Sequence, residues 1–166
     1  MPAPPALLCY DGSPGARRAI DVGGGLLGGG PAVVLTVWRP LGLSLLAPVS
    51  GTIGRASGIS GEFDEIAANA ASDCAAQGVE LARASGFDAV PMALDGHPRE
   101  AILETARQQR ARVIVLGSRG LSGVESALLG SVATGVLHHS HGIPLLVVPP
   151  PAPGHTRGST SGAAGR

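Results

Sequence analysis

The sequence predicts an α/β domain: a five-stranded parallel sheet in the order 3-2-1-4-5, with helices on both faces. Short, continuously apolar runs alternate with longer segments of helical spacing, which is typical of strands buried on both faces. Only 2% of the 166 residues are aromatic, so the core must be Val, Leu, Ile and Ala. Glycine-rich or acidic turns follow the first and fourth strands, and they form one site only if those strands are neighbours.

The first βα unit occupies the start of the chain. Its strand is predicted at 6–10 (ALLCY), a compact apolar run that ends at an Asp-Gly-Ser turn, residues 11–13. Ser13 is a suitable helix N-cap, and Pro14 fits the first helical position because its missing N–H has no partner there. The helix is predicted over 15–27, with glycines at 23–25 that weaken its end.

The second and third strands flank a long helix. The run AVVLTVW predicts a strand at 32–38, and apolar residues at helical spacing predict a helix over 62–85. A third strand is predicted at 89–94, although Pro91 weakens it because proline cannot donate to a sheet ladder.

The last elements follow the same alternation. A helix is predicted over 98–110, with Ile102, Leu103 and Ala106 on one face, and a strand at 113–116. A helix over 131–139 and a fifth strand at 144–148 complete the sheet.

Two segments fall outside this pattern, so we expect one domain over residues 1–149. Residues 39–61 form a long Gly/Ser/Pro-rich loop, which at that length is either a functional lid or locally disordered. Residues 150–166 have the composition of a disordered tail.

Composition excludes several classes of function. The net charge is zero, which gives no electrostatic footprint for nucleic acid or an anionic membrane. The chain has no lysine, which excludes a Walker-type phosphate lysine and a Schiff-base lysine. Two distant cysteines do not make a disulfide scaffold, the N-terminus lacks a signal-peptide pattern, and no run is long enough to span a membrane. We therefore expect a cytoplasmic protein.

The glycine loop after the fourth strand, residues 117–130, carries the strongest functional signal. Glycines at 117, 120 and 130 can adopt positive φ and let the backbone approach a bulky anion. Ser131 then opens a helix whose first N–H groups point at the loop, which suits a phosphate chain. Arg119 could clamp a terminal phosphate. The alternative is that the glycines only turn the chain and Ser131 only caps the helix.

The segment GSRGLSGVESALLGSVATGVLHHSHGIPLLVV resembles the C-terminal signature of the universal stress protein family, G-x2-G-x9-G-[ST]. All of its elements are present, as Gly117, Gly120, Gly130 and Ser131. The segments LLCYDGSPGARRAI and AVVLTVW resemble the family's first two strands, and the resemblance spans about residues 6–149. It implies a Rossmann-like sandwich of the adenine nucleotide alpha hydrolase-like type.

The resemblance also implies a function in stress adaptation: ATP binding, with or without Mg²⁺, often in a homodimer. In that case Asp11 and Val37 would meet the nucleoside. The remaining binding residues implied are Gly12, Gly117, Ser118, Arg119, Gly120, Gly130, Ser131 and Val132. Cys9 departs from the family's usual small residue, and the length of the 39–61 loop leaves the lid over the nucleotide open.

Other sites and functions compete with this hypothesis. His138, His139 and His141 cluster like metal ligands, but they lack an accompanying Cys or carboxylate, and cations at a helix C-terminus complement its dipole. Asp11 has no second acid or His placed to assist catalysis, and Cys74 fits an inert core position better than a reactive thiol. The alternatives to a nucleotide-dependent regulatory module are a slow ATP hydrolase and a structural dimer without nucleotide.

The fifth strand, residues 144–148, lies at the predicted edge of the sheet, and this position predicts a homodimer. Its unpaired N–H and C=O groups favour pairing with a second copy across a two-fold axis. The alternative is a monomer in which the Pro-rich tail shields this edge.

Overall fold

The computed structural model describes residues 3–40, 57–120 and 129–150. The strands are β1 (Ala6–Cys9), β2 (Gly30–Trp38), β3 (Phe87–Asp95), β4 (Val113–Gly117) and β5 (Leu145–Val148). The helices are α1 (Pro14–Leu27), α2 (Ser57–Ala84), α3 (Pro98–Gln108) and α4 (Ser131–His139). Within these ranges, none of the helices combines the length and hydrophobicity that a bilayer span requires.

The strands form one parallel sheet in the order β3-β2-β1-β4-β5, which confirms the predicted fold class. β1 lies at the centre, where Leu7 pairs with Val33 of β2 on one side and Ile114 of β4 on the other. The chain first builds outward through β2 and β3, then crosses back to add β4 and β5. The strand order therefore reverses between β1 and β4, which is where open α/β sheets bind their ligands.

An apolar core lies on each face of the sheet, between the strands and the helices that cover that face. On one face, α1 and α2 pack against alternate strand residues such as Leu8, Val34 and Val115. On the other face, α3 and α4 pack against their neighbours, including Leu7 and Ile114. Because side chains alternate along each strand, every central strand supplies both cores, and this explains why the strands are apolar without interruption.

The element boundaries differ from the predicted ones in several places. The last part of the predicted 39–61 loop belongs to α2, which already begins at Ser57. β3 extends on both sides of Pro91 because it is an edge strand, where a missing N–H need not break a ladder. The rest of that loop, and the predicted tail from residue 151 onward, lie outside the described residues.

Candidate functional site

The turn between β1 and α1 is held by its own side chains. The Ser13 amide donates to Asp11 Oδ1 at 3.0 Å, and the Ala16 amide donates to Ser13 Oγ at 3.1 Å. Ser13 is thus the N-cap of α1, as predicted. Gly12 has a φ of +81°, a conformation that side-chain-bearing residues rarely adopt. The turn fixes the half-buried Asp11 carboxylate at the carboxyl end of β1.

The glycine loop packs directly on this turn. A Cβ on Gly117 would lie 2.8 Å from the carbonyl carbon of Gly15, and a Cβ on Gly15 would lie 2.8 Å from the carbonyl oxygen of Arg119. A Cβ on Gly120 would lie 2.8 Å from Asp11 Oδ2. The turn after β1 and the loop after β4 therefore converge, with backbone against backbone.

Close approach, and not positive φ, explains the glycines of this loop. The described glycines with positive φ do not include Gly117, Gly120 or Gly130. The left-handed conformation that glycine permits is therefore not used at these three positions. What Gly117 and Gly120 provide is the absence of a side chain where another loop must fit.

The end of the glycine loop leads directly into the N-terminus of α4. The Gly130 amide donates to the Ser118 carbonyl at 2.7 Å, which closes the loop on itself. Gly130 is the N-cap residue of α4 and has no side chain to accept from the first helical N–H groups. Those amides are left for water or a ligand. Residues 121–128, which include Gly123, lie outside the described residues.

A cavity of about 320 Å³ lies between the two loops, the end of β2 and helix α3. Every binding residue expected from the sequence lines it except Gly12, which supports the turn from outside the cavity wall. The expected residues in its lining are Asp11, Val37, Gly117, Ser118, Arg119, Gly120, Gly130, Ser131 and Val132.

The cavity also has apolar walls that the sequence did not reveal as part of a site. Leu35 and Leu116 come from the sheet, and Pro98 and Ile102 come from the first turns of α3. The sequence predicts Ile102 on the apolar face of its helix. No signal in the sequence distinguishes a core residue from a residue of a cavity wall at that position. These residues make one part of the cavity lining apolar, in contrast to the polar α4 N-terminus.

Ser118 is, with Tyr10, one of two residues of the cavity lining whose buried hydroxyl has no hydrogen-bond partner among the described residues. Ser118 is 4% exposed. A buried unsatisfied hydroxyl costs free energy. Because Ser118 lines the cavity, a polar ligand atom could satisfy it.

The thiols near the cavity are held neutral. Burial raises the pKa of Cys9 to about 12, and the nearby Asp11 carboxylate adds to the effect. Burial also raises the pKa of Cys74, which lies on α2 near Gly12. Neither residue has the lowered pKa that a nucleophilic cysteine needs.

The histidines at the end of α4 lie away from this cavity. His139 Nδ1 lies 2.8 Å from the Gly135 carbonyl oxygen, and the His139 and His141 rings meet edge to face at 6.4 Å. In the part of the chain that the structure describes, no three His, Cys, Asp or Glu side chains are grouped closely enough to hold a metal ion.

Comparison with protein families identifies this architecture. The model of the universal stress protein family matches residues 4–149. The chain belongs to this family. Its sequence relatives include the universal stress protein MJ0531 of Methanocaldococcus jannaschii, which is 45% identical over 58 residues, 35% of this chain and 34% of the relative. The matched segments cover at most about half of the curated universal stress proteins (34% to 51%).

Solved universal stress proteins share the whole fold. UspA from Lactobacillus plantarum superimposes with a TM-score of 0.70 at 18% identity, over 89% of this chain and 99% of that protein. A universal stress protein from Archaeoglobus fulgidus in complex with dAMP gives 0.59 at 21% identity, over 89% and 99%. A universal stress protein in complex with cAMP gives 0.58 at 22% identity, over 89% and 98%.

Proposed function

We propose that this universal stress protein binds an adenine nucleotide in the cavity, with ATP, alone or as its Mg²⁺ complex, as the expected ligand. The observation that carries the proposal is the cavity itself. It joins the turn after β1, the glycine loop after β4 and the uncapped N-terminus of α4 at the point where the strand order reverses. Its volume of about 320 Å³ falls within the usual range for ligand pockets, about 300–1,000 Å³.

The apolar end of the cavity suits a purine base. Leu35 and Val37 of β2 and Ile102 of α3 line it, so a flat apolar ring would be buried between the sheet and α3. Val37 stands at the end of a strand, where its backbone groups can hydrogen-bond the edge of the base. This gives the adenine a defined orientation without any charged contact.

The polar end suits the ribose and phosphates. The first amides of α4 point away from their own helix, and the helix dipole favours an anion there. Arg119 and the Ser118 hydroxyl line the same region. Phosphate can be held in this way without a lysine, which the chain does not contain.

The family relatives support the same ligand class. Two of the solved universal stress proteins that share this fold are complexes with cAMP and with dAMP. Both ligands combine adenine with phosphate, which is the combination that the two ends of the cavity fit. We infer that the chain acts as a nucleotide-dependent regulatory or stress-response module.

A binding role fits the cavity better than ATP hydrolysis does. Hydrolysis needs a positioned base, and Asp11 is the carboxylate in the cavity lining. One oxygen of Asp11 already accepts from the Ser13 amide. We propose that Asp11 positions the nucleoside and that any ATP hydrolysis is slow.

Gly130→Ala tests the proposal directly. A Cβ at Gly130 would have its nearest neighbour, the Ser118 carbonyl oxygen, at 3.4 Å, an ordinary contact distance, so the variant should fold. Because Gly130 lines the cavity, the methyl group should intrude on the phosphates. We expect the parent to bind ATP in calorimetry and the variant to bind it at least tenfold more weakly, with an unchanged melting temperature.

Two results would contradict the proposal. One is a parent protein that binds neither ATP nor AMP, which would favour the structural dimer without nucleotide. The other is equal ATP affinity in the parent and the variant, which would remove the phosphates from the α4 N-terminus.

A further inference from the structure

The first turns of α2 project beyond the sheet. α2 has 28 residues, which at about 1.5 Å per residue gives a length of about 42 Å. The neighbouring strand β3 has 9 residues and spans about 30 Å. Ser85 and Gly86 alone connect the end of α2 to β3, so the excess length lies at the start of α2. The first turns of this helix therefore extend past the carboxyl edge of the sheet.

This projecting part of α2 carries an apolar stripe that stays exposed. The i, i+3, i+4, i+7 spacing of one helix face is shared by Phe63, Ile66, Ala67 and Ala70. Such a stripe normally packs on a core, yet Phe63 is 52% exposed and Ile66 is 62% exposed. Among the α2 residues whose burial is described, the first buried one is Ala71. The stripe, which we call the α2 face, is therefore open to another molecule.

The charge beside the α2 face is negative. Residues 57–82 of α2 include several acidic residues and no basic one, in a chain whose net charge is zero. Glu62 and Asp73 are exposed and stand about three full turns apart, so they point in the same direction. Ile66 follows Glu62 by one turn, which places this acidic pair along the border of the α2 face. A second copy of the chain would bring two acidic borders together, and their repulsion disfavours self-association here.

We propose that the α2 face binds an amphipathic helix of a partner protein, one that carries lysine or arginine beside its apolar residues. Phe63 and Ile66 enter the apolar side of that helix as the anchors of the contact. Ala67 and Ala70 are small, so the partner helix can approach α2 closely. Its basic residues face the acidic pair. The inference does not depend on nucleotide binding, because none of these residues lines the cavity.

A designed peptide tests the proposal on the full-length chain. The probe is a fluorescent peptide of about five helical turns, with leucine at every third or fourth position and lysine between them. A scrambled peptide of the same composition controls for charge attraction alone. Fluorescence anisotropy at about 0.15 M salt should show that the probe binds about tenfold more tightly than the scrambled peptide. A version with glutamate in place of lysine should not bind.

The apolar contribution is tested with Phe63→Ser combined with Ile66→Ser. We expect the probe to bind this variant about tenfold more weakly, as the loss of contact anchors predicts. Leu26→Ser is the matched control, because Leu26 is 67% exposed and lies on α1, and it should leave the affinity unchanged. Both variants should keep the melting temperature of the parent, since the substituted side chains are exposed.

The charge contribution is tested with Glu62→Gln combined with Asp73→Asn. This variant should bind the probe more weakly, and its remaining affinity should depend less on salt. Glu80→Gln is the matched control. Glu80 lies on the same helix with its side chain 74% exposed, but it pairs with Arg83 at 3.0 Å, so its substitution should change probe binding little.

Three results would overturn the proposal. Equal affinity of the parent and the double serine variant for the probe would remove the apolar contact. Equal binding of the scrambled peptide would leave only general charge attraction. A double serine variant with a lower melting temperature, or with a lower mass in light scattering, would show that the chain itself or a second copy already covers the α2 face.

Discussion

At the residue scale, burial in the cavity wall changes the pKa of Cys9. The thiol lies in the lining beside Asp11, and its pKa is raised from 9.0 to about 12 by burial and by that carboxylate. Below pH 9 the folded and unfolded chains both keep the proton. Between pH 9 and 12 only the folded chain keeps it, so the unfolded chain is favoured increasingly as the pH rises.

We therefore expect the free energy of unfolding to fall between pH 9 and 12, and to fall less steeply in Cys9→Ala. Urea unfolding midpoints measured across this range would check it. Tyr10 and Cys74, whose pKa values are also raised by burial, are common to both proteins and cancel in the comparison. Parallel curves for the parent and the variant would show that the Cys9 thiol is not desolvated by folding.

The three motif glycines illustrate what a single residue's sequence context can and cannot predict. Their spacing predicts that Gly117, Gly120 and Gly130 share one site, and they line one cavity. Their separate roles depend on contacts with distant parts of the chain: Gly117 faces Gly15, and Gly120 faces Asp11. Such contacts become visible only when the loops are placed side by side in space.

At the scale of the element, α1 shows why local propensity is a weak guide to a helix end. Glycines at 23–25 weaken the predicted end of the helix, yet it continues to Leu27, as predicted, and ends at Gly28 in the left-handed conformation. Gly24 is buried where a Cβ would overlap the Ser85 carbonyl oxygen, and Gly23 faces Val115. Close packing of α1 on its neighbours outweighs the entropic cost of the glycines.

Gly25→Ala and Gly24→Ala form a matched pair that tests this reasoning. Gly25 is exposed, and a Cβ added there would have no atom within 4 Å, so alanine should stabilise the protein by about 0.5–1 kcal/mol. Gly24→Ala should destabilise it by about 1–3 kcal/mol through overpacking. Chemical denaturation measures both changes, and a stabilising Gly24→Ala would contradict the packing argument.

The two edge strands of the sheet differ in how they meet solvent. On β3, Arg83 Nη2 donates to the Ala89 carbonyl at 3.3 Å. Within a parallel strand, alternate residues face the same side, so Pro91 shares the open edge with Ala89 and offers no N–H there. At β5, the carbonyl of Pro144, directly before the strand, accepts from Ile114 of β4, and the carbonyl of Val148 accepts from Ser118, directly after β4. By the same alternation, Leu145 and Val147 face the open edge. Among the described residues β3 is the better guarded edge; at β5, Arg18 Nε donates to the carbonyl of Pro149, directly after the strand.

At the scale of the whole molecule, we propose that two copies of the chain pair through β5. Val147→Pro should convert the dimer to a monomer, because it removes an N–H from the open edge while leaving the bonds to β4 intact. Val147→Ala is the control, since it trims the side chain and keeps the N–H. Light scattering at micromolar concentration measures the mass.

A monomeric parent, or a proline variant as dimeric as the parent, would rule out this interface. A charge at Leu146 would be a poorer test, because Leu146 packs against the core shared by α1 and α2. It would disturb folding as well as the edge.

At the scale of the whole molecule, the strand order could be predicted because the turns after the first and fourth strands form one site only if they lie side by side. Asp11 follows β1 and Gly117 ends β4, and one site for both requires these strands to be adjacent, as they are. The α3 wall, including Pro98 and Ile102, was not predictable. The sequence pattern of apolar residues on a helix face is the same whether that face covers a core or lines a cavity.

The contact between Gly15 and the start of the glycine loop involves backbone atoms alone. This contact therefore has no side chain that substitution could exchange. Over evolutionary time, the ligand preference of such a chain changes through the side chains that line the cavity, such as Asp11, Val37 and Ile102. Descendants of this protein could come to hold different ligands, or none, while the contact between the two loops kept the same shape.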